Sequence, residues 1–231
     1  SGFVRFVIGL SKKVFIANVM GEMADGVFKL PADEISSMVA WTGMIAYTFQ
    51  IYFDFSGYSD MAIGIGKMIG FRFSENFNNP YTSGSITEFW RRWHMTLGSW
   101  MRNYLYIPLG GNKVKTKTKL YFNLWIVFLA SGLWHGAEWT FIFWGAYHGL
   151  FLILEKMFLL KVYDKMPKIF SVAMTFLLVA IGWVFFRADS FSQAITFIQK
   201  LFVFDWSVPR LFFNQKFIIV LLIAVFFSFF A

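Results

Sequence analysis

The sequence predicts an all-helical protein that is embedded in a membrane, and three observations predict it. Hydrophobic residues make up 58% of the chain and charged residues only 15%, whereas a typical soluble domain is about a quarter charged. Aromatic residues reach 22%. Four uncharged runs approach the roughly 20 residues that a spanning helix needs. These runs are 35–53, 120–137, 139–154 and 169–186.

The formal net charge of +8 lies in short loops between the apolar runs. This distribution is typical of cytoplasmic loops that face anionic lipid, so we expect a lipid bilayer and no nucleic acid among the partners. The chain has no cysteine, which excludes disulfides, thiolate metal sites and a cysteine nucleophile.

The first elements are an apolar stretch, a polar connection and a spanning helix. Residues 2–19 carry three cations, so we expect them to lie at the interface or to pack inside the bundle. Residues 27–37 are polar, and 35–53 is the predicted span. Asp54, Asp60 and a glycine-rich stretch at 61–70 follow. Carboxylates and glycines at the end of a span predict a broken or re-entrant segment.

A capping box at 85–88, Ser-Ile-Thr-Glu, predicts the start of an amphipathic helix. The apolar and aromatic residues after it recur at helical spacing. They are Trp90, Trp93, His94, Leu97, Trp100 and Met101. Three arginines lie in the same stretch, so we expect this helix to lie in the interface or to dip partly inward.

The lysine-rich loops around 110–119 and 156–168 are predicted to be cytoplasmic by the positive-inside rule. The tight segment at 135–138 between them then lies toward the opposite side. A second capping box at 190–193 predicts a short amphipathic helix to about residue 204. Because the chain begins without Met and ends in an apolar run, we expect the C-terminal part of a longer protein. We expect 1–231 to be a single membrane-embedded domain that lacks the N-terminal helices and the extreme C-terminus.

His135 is the leading candidate for chemistry, since it lies in the uncharged run 120–137. Ionisable side chains at membrane depth usually mark function, and a neutral imidazole exchanges a proton near neutral pH. The alternative is a structural histidine that is hydrogen-bonded to a neighbouring helix. His94, on the aromatic face of the amphipathic helix, is the second candidate, with an interfacial structural role as its alternative.

The remaining polar residues give weaker signals. We expect His148 to pack beside Trp144 and Tyr147. The three histidines lack the spacing of a metal site, so no metal is predicted. Asp54 and Asp60 could cap a broken helix, orient a histidine or bind a cation.

Four ordered motifs resemble the membrane-bound O-acyltransferase family, in particular its bacterial branch that acetylates alginate. They occur between about residues 50 and 150. The motifs are YFDFSGYSDMAIG at 52–64, FWRRWHMTL at 89–97, YLYIPLGG at 104–111 and SGLWHG at 131–136.

The resemblance implies a ring of membrane helices around a funnel, with a tunnel for the acyl donor on the inner side. It also implies that His135 is the essential histidine and His94 a second, frequently required one. Asp54, Trp134 and Trp93 are candidates for orienting them. Arg91, Arg92 and Arg102 could hold donor phosphates, or could anchor the protein to lipid headgroups.

The predicted function is transfer of an acyl group, most simply acetyl, from a cytoplasmic thioester to a hydroxyl outside the cytoplasm, with His135 as general base. No cofactor is expected to be bound, since acetyl-coenzyme A or an acyl-carrier protein would serve as substrate. The acceptor is expected to be a polysaccharide or a partner protein, and the location a bacterial cytoplasmic (inner) membrane that the chain crosses several times. The alternatives are D-alanyl transfer to teichoic acid from a carrier protein, a transporter and a non-catalytic scaffold.

Overall fold

The computed structural model describes residues 1–205, 207 and 214–230. Within these ranges the regular elements are helices, with no strand, so the predicted all-helical class is confirmed. Two compact units are present. The first comprises Ser1–Asn76 and Ser192–Ala231, and the second comprises Phe77–Phe191.

The first unit is built mainly from one long helical hairpin. Its elements are α1 (Gly2–Ser11), a π-helical stretch (Lys12–Ala17), α2 (Asn18–Phe28), α3 (Ser37–Met68), α10 (Phe191–Lys200) and α11 (Gln215–Phe229). The side chain of Ser36 begins α3 by accepting a hydrogen bond from the amide of Val39, as an N-cap does. The predicted α10 helix forms, and it ends at Lys200 instead of about residue 204.

Glycines set the close packing of this hairpin. A Cβ atom at Gly9 would lie 2.5 Å from the carbonyl oxygen of Gly57, and one at Gly2 would lie 2.5 Å from that of Gly64. Because Gly2 faces Gly64 and Gly9 faces Gly57, α1 and α3 run antiparallel. Small residues let helix backbones approach this closely, as at helix interfaces in membranes.

The predicted break after residue 53 is wrong, because α3 runs without interruption from Ser37 to Met68. Neither aspartate has to cap a helix end, since cations from the neighbouring helical segment pair with both. The carboxylate of Asp60 accepts from Arg5 and Lys12, at 2.7 Å each, and Asp54 pairs with Lys13 at 2.6 Å. The same pairs explain the cations in the apolar stretch at 2–19.

The second unit holds the histidines. Its elements are a short 3-10 turn (Pro80–Thr82), α4 (Ile86–Arg92), α5 (Met95–Met101), a π-helical stretch (Arg102–Tyr106), α6 (Lys117–His135), α7 (Trp139–Leu154), a second π-helical stretch (Glu155–Leu159), α8 (Leu160–Tyr163) and α9 (Lys168–Arg187). Helices α6 and α7 form a hairpin whose connection is the predicted tight segment. A Cβ atom at Gly132 would lie 2.3 Å from the carbonyl oxygen of Phe141, and one at Gly145 would lie 2.3 Å from that of Phe128. Backbone therefore meets backbone along this hairpin.

Two helical segments of the described residues are long and apolar enough to cross a bilayer, Trp139–Tyr163 and Lys168–Arg187. They contain two of the four predicted runs. The other two runs, 35–53 and 120–137, are helical almost throughout but do not reach the same apolarity, so their crossing of the membrane stays a prediction.

The single amphipathic helix predicted after residue 85 is instead two helices. The capping box itself is confirmed, since the Ser85 hydroxyl accepts from the amide of Glu88 at 3.0 Å. However, α4 ends at Arg92, and Trp93 and His94 interrupt the helix. Trp93 is extended and buried, and it packs against Phe89 and Trp183. This aromatic packing holds Trp93 in place where the helix is interrupted.

Candidate active site

His135 is the last residue of α6, so it lies at a helix end beside the tight turn. Its ring lies edge-on to Trp134, Trp144 and Phe186, with centroid distances of 4.9, 5.3 and 5.1 Å. These contacts come from α6, α7 and α9. The imidazole is half-buried, so three helices orient a ring that a reactant can still reach.

His94 lies at the start of α5 with a left-handed backbone, φ 47° and ψ 53°. Such a conformation is strained for a residue with a Cβ atom. The Trp134 ring lies 6.3 Å from the His94 ring and therefore contacts both histidines. The structure thus brings together the predicted site residues His94, His135 and Trp134 around one exposed indole.

His148 is completely buried and packs in an aromatic cluster. The rings of Trp90, Trp144 and Tyr147 lie 5.0, 5.2 and 5.3 Å from its ring. Neither of its nitrogens has a hydrogen-bond partner among the described residues. The predicted packing role for His148 agrees with this environment.

An apolar cavity of about 240 Å³ lies between α4, α5 and α6. Its wall includes His94 and Ser131, and His135 is one helical turn beyond Ser131 on the same face of α6. Most of the predicted amphipathic face contributes to it, namely Trp90, Trp93, His94, Leu97 and Met101. The cavity can hold an apolar chain whose end reaches His94.

A larger cavity of about 630 Å³ lies beside the apolar one. The two share the wall residues Thr87, Arg91, Arg102, Tyr106, Leu124 and Leu152. The second cavity is lined by four cations, Arg91, Arg102, Lys113 and Lys156, and by no carboxylate. None of the four is in a salt bridge within the described part of the chain. This basic cavity can therefore bind a multiply charged anion.

Tyr106 supplies a neutral donor on the wall shared by the two cavities. Its hydroxyl donates to the side-chain oxygen of Asn112 at 2.9 Å. Burial raises the pKa of Tyr106, so the phenol remains protonated at neutral pH and keeps its hydrogen bond to Asn112.

Only two of the three predicted arginines line the cavities. Arg91 and Arg102 line both cavities. The guanidinium of Arg92 instead donates to Glu88 at 2.5 Å and to the Thr82 hydroxyl at 3.0 Å. Arg92 thus joins α4 to the preceding turn and is absent from both cavity walls.

Of the other predicted supporting residues, some line a cavity and others do not. Trp93 is buried and lines the apolar cavity beside His94. Asp54 is paired with Lys13 in the first unit, so its support of a histidine stays a prediction. Asp60 is occupied by Arg5 and Lys12.

Three residues of this region are not among the predicted site residues. Lys113 and Lys156 belong to stretches that the sequence predicts to be loops, whereas the structure places both on the basic cavity. The predicted loop at 156–168 is wrong in its first half, because helix continues from α7 through Glu155–Leu159 and Leu160–Tyr163. Glu155 was not singled out, although it is buried and hydrogen-bonded to the start of α4. The available signal was a carboxylate at the end of an uncharged run.

Comparisons with known proteins agree with these motifs. The chain is 51% identical to a probable alginate O-acetylase of Azotobacter vinelandii, over 91% of this chain and 42% of that protein. It is 46% identical to a peptidoglycan O-acetyltransferase of Helicobacter pylori, over 87% of this chain and 38% of that protein. It is 30% identical to a teichoic acid D-alanyltransferase of Bacillus subtilis, over 64% and 41%.

The chain spans about two fifths of the length of these curated relatives. The profile of one family, whose members are membrane proteins, matches residues 1–164. This match includes all four sequence motifs and the histidines that meet at Trp134. The chain belongs to the membrane-bound O-acyltransferase family.

Proposed function

We propose that the membrane-inserted protein transfers an acyl group, acetyl in the simplest case, from a thioester donor to a hydroxyl group. The single observation that carries the proposal is the pairing of two histidines at Trp134 beside an apolar cavity with a basic neighbour. Family membership supports the acyl chemistry.

The two cavities suit the two parts of an activated thioester. The apolar cavity would take the pantetheine arm with its acyl group, and the four cations would bind the phosphates. Cations bind phosphate through charge-assisted hydrogen bonds. Acetyl-coenzyme A and the phosphopantetheine of a carrier protein share this chemistry, and either is a substrate, not a bound cofactor.

His135 would act as the general base. The acceptor hydroxyl gives its proton to the imidazole as its oxygen attacks the thioester carbonyl. When the tetrahedral intermediate collapses, the carbon–sulfur bond breaks and the thiol leaves with the proton from His135. His94 would position the donor carbonyl at the end of the apolar cavity, and direct transfer needs no covalent acyl-enzyme.

The acceptor would lie outside the cytoplasm. The lysine-rich stretches, including Lys113 and Lys156 at the basic cavity, would face the cytoplasm under the positive-inside rule. Such a chain would cross the bacterial inner membrane several times, as part of a helical ring around a funnel. The named relatives act on alginate and peptidoglycan, which favours an envelope polysaccharide, or a partner protein that relays the group to it.

One alternative has a specific observation in its favour. The relative from Bacillus subtilis is a D-alanyltransferase of teichoic acid, so the transferred group could be D-alanine delivered by a carrier protein. The basic cavity would then bind the phosphodiester of the carrier.

The function is tested with the protein in its native membranes, radiolabelled acetyl-coenzyme A and a crude envelope polysaccharide fraction. We expect label in the polysaccharide, and fractionation of the product identifies the acceptor. If label appears only when D-alanyl carrier protein replaces acetyl-coenzyme A, the alternative is correct. Transport of the polymer without incorporation of any label would refute acyl transfer.

Loss of a cation from the basic cavity is expected to weaken donor binding. We predict that Arg91→Gln and Arg102→Gln each raise the donor KM about tenfold, since each removes a charged hydrogen bond, and leave the acceptor KM unchanged. Donor titration of the transfer reaction measures this. Lys161→Gln is the matched control, because Lys161 is exposed and absent from both cavity walls. An equal effect of all three changes would indicate attraction to lipid headgroups instead of a donor site.

A further inference from the structure

Glu155 is a buried carboxylate that the proposed chemistry does not use. It is 1% exposed and is the first residue of the π-helical stretch that continues α7. A buried carboxylate is unfavourable unless donors surround it. Its donors come from a different helix.

Three hydrogen bonds join Glu155 to the first turn of α4. Its carboxylate accepts from the amide of Ile86 at 2.5 Å, and from the amide and hydroxyl of Thr87 at 2.8 and 2.6 Å. The next amide, that of Glu88, donates to the Ser85 hydroxyl. The first amides of a helix have no partner within the helix, so Glu155 satisfies two of them. The start of α4 is therefore fixed to α7 across almost 70 residues of chain.

Residues on both sides of this junction line the proposed donor site. Thr87 and Arg91 of α4 line the basic cavity, and so do Leu152 and Lys156, which flank Glu155. The Glu155 carboxylate itself points to the α4 amides and is absent from the cavity wall. Its oxygens are thus engaged by the helix start and do not line the cavity that holds the four cations.

The α4 helix also carries groups toward the histidines. Trp90 packs against His148 and Trp144, and α4 ends directly before Trp93 and His94. Because α4 has only seven residues, a shift of its first turn moves Arg91 and His94 together. A rigid junction at the first turn therefore sets the distance between the basic cavity and the reacting end.

We propose that Glu155 is a positioning residue, which fixes α4 against α7 and thereby holds Arg91 and His94 in the geometry that binds the thioester donor. This inference rests on the proposed function. It predicts a defect in donor binding from a residue that does not contact the donor.

The test uses Glu155→Gln in the membrane-inserted protein, with Asp164→Asn as the matched control. Asp164 is exposed and directly follows the same helical run as the C-cap of α8, and its replacement likewise converts one carboxylate to an amide. Two quantities are measured. Hydrogen exchange reports the amides of residues 84–92, and titration with acetonyl-coenzyme A, an unreactive thioether analogue, gives the donor Kd.

For Glu155→Gln we expect exchange of the α4 amides to become about tenfold faster and the donor Kd to rise about tenfold, the effect of one weakened charged hydrogen bond. Asp164→Asn should change neither quantity. Thr87→Val, which removes one of the three bonds, should raise the donor Kd in the wild-type background and add little to Glu155→Gln, because contacting residues are not additive.

Two results would overturn the proposal. Unchanged exchange at 84–92 would mean that Glu155 does not hold α4. Faster exchange with an unchanged Kd would mean that Glu155 stabilises the helix without positioning the donor site. A wild-type protein that binds the analogue and transfers no label would refute the acyl-transfer mechanism and leave this inference standing.

Discussion

Replacing His135 by alanine is expected to lower acyl transfer about a thousandfold while the protein still folds and inserts. General bases contribute roughly 10²–10⁴ to a rate, and His135 is the histidine at the reacting end of the proposed site. The ring is half-buried among Trp134, Trp144 and Phe186, so its loss removes packing as well as a base. Label incorporation per folded protein measures the effect.

The variant His135→Phe separates these two contributions. Phenylalanine retains an aromatic ring against the same three neighbours and cannot accept a proton. We expect His135→Phe to be folded like the wild type and as inactive as His135→Ala. Transfer at the wild-type rate by His135→Phe would show that the imidazole is not the base, and trapping an acyl group on any side chain would favour a covalent route.

Adding one methyl group at Gly132 is expected to be among the most destabilising small changes in the second unit. A Cβ atom there would lie 2.3 Å from the Phe141 carbonyl oxygen and 3.5 Å from the Cα atom of Gly145. Both contacts are with backbone, which cannot rotate away. Overpacking typically costs about 1–3 kcal/mol, and we expect Gly132→Ala to reach about 3 kcal/mol. Thermal unfolding in detergent measures the change in stability.

Gly26→Ala is the matched control for this substitution. Gly26 is an exposed residue of α2, and a Cβ atom there meets nothing within 4 Å. Alanine in an open helical position is favoured over glycine by about 0.5–1 kcal/mol, so this variant should be slightly more stable. Gly132→Ala should also reduce transfer, because His135 is three residues further along α6. If both variants unfold at the same temperature, the backbone contact of α6 and α7 is not as close as described.

The histidines were predictable because their signal is local. A histidine in an uncharged run and another on an aromatic helical face can be recognised as candidates from the sequence, without knowledge of any tertiary contact. The break at Trp93 and His94 was not predictable in this way. The helical spacing of apolar residues continues across it, and the cause is packing of Trp93 against Trp183, which lies 90 residues later in the chain.

The same limit applies to the charged residues. Asp54 and Asp60 suggested a helix break until their partners Arg5, Lys12 and Lys13, more than 40 residues away, were known. Lys113 lies in the connection before α6 and Lys156 in the π-helical stretch that continues α7, and only the fold brings them to one cavity. Glu155 acts on Ile86 and Thr87 through contacts that no local pattern contains.

Because the backbone of His94 is left-handed, thermal stability and catalytic activity favour different residues at this position. Glycine or asparagine would adopt φ 47° with less strain, so a search for heat-resistant variants would favour them there. Each would remove the imidazole beside Trp134. Substitutions that stabilise a strained functional residue commonly cost activity, and for this chain the conflict is concentrated in a single backbone angle.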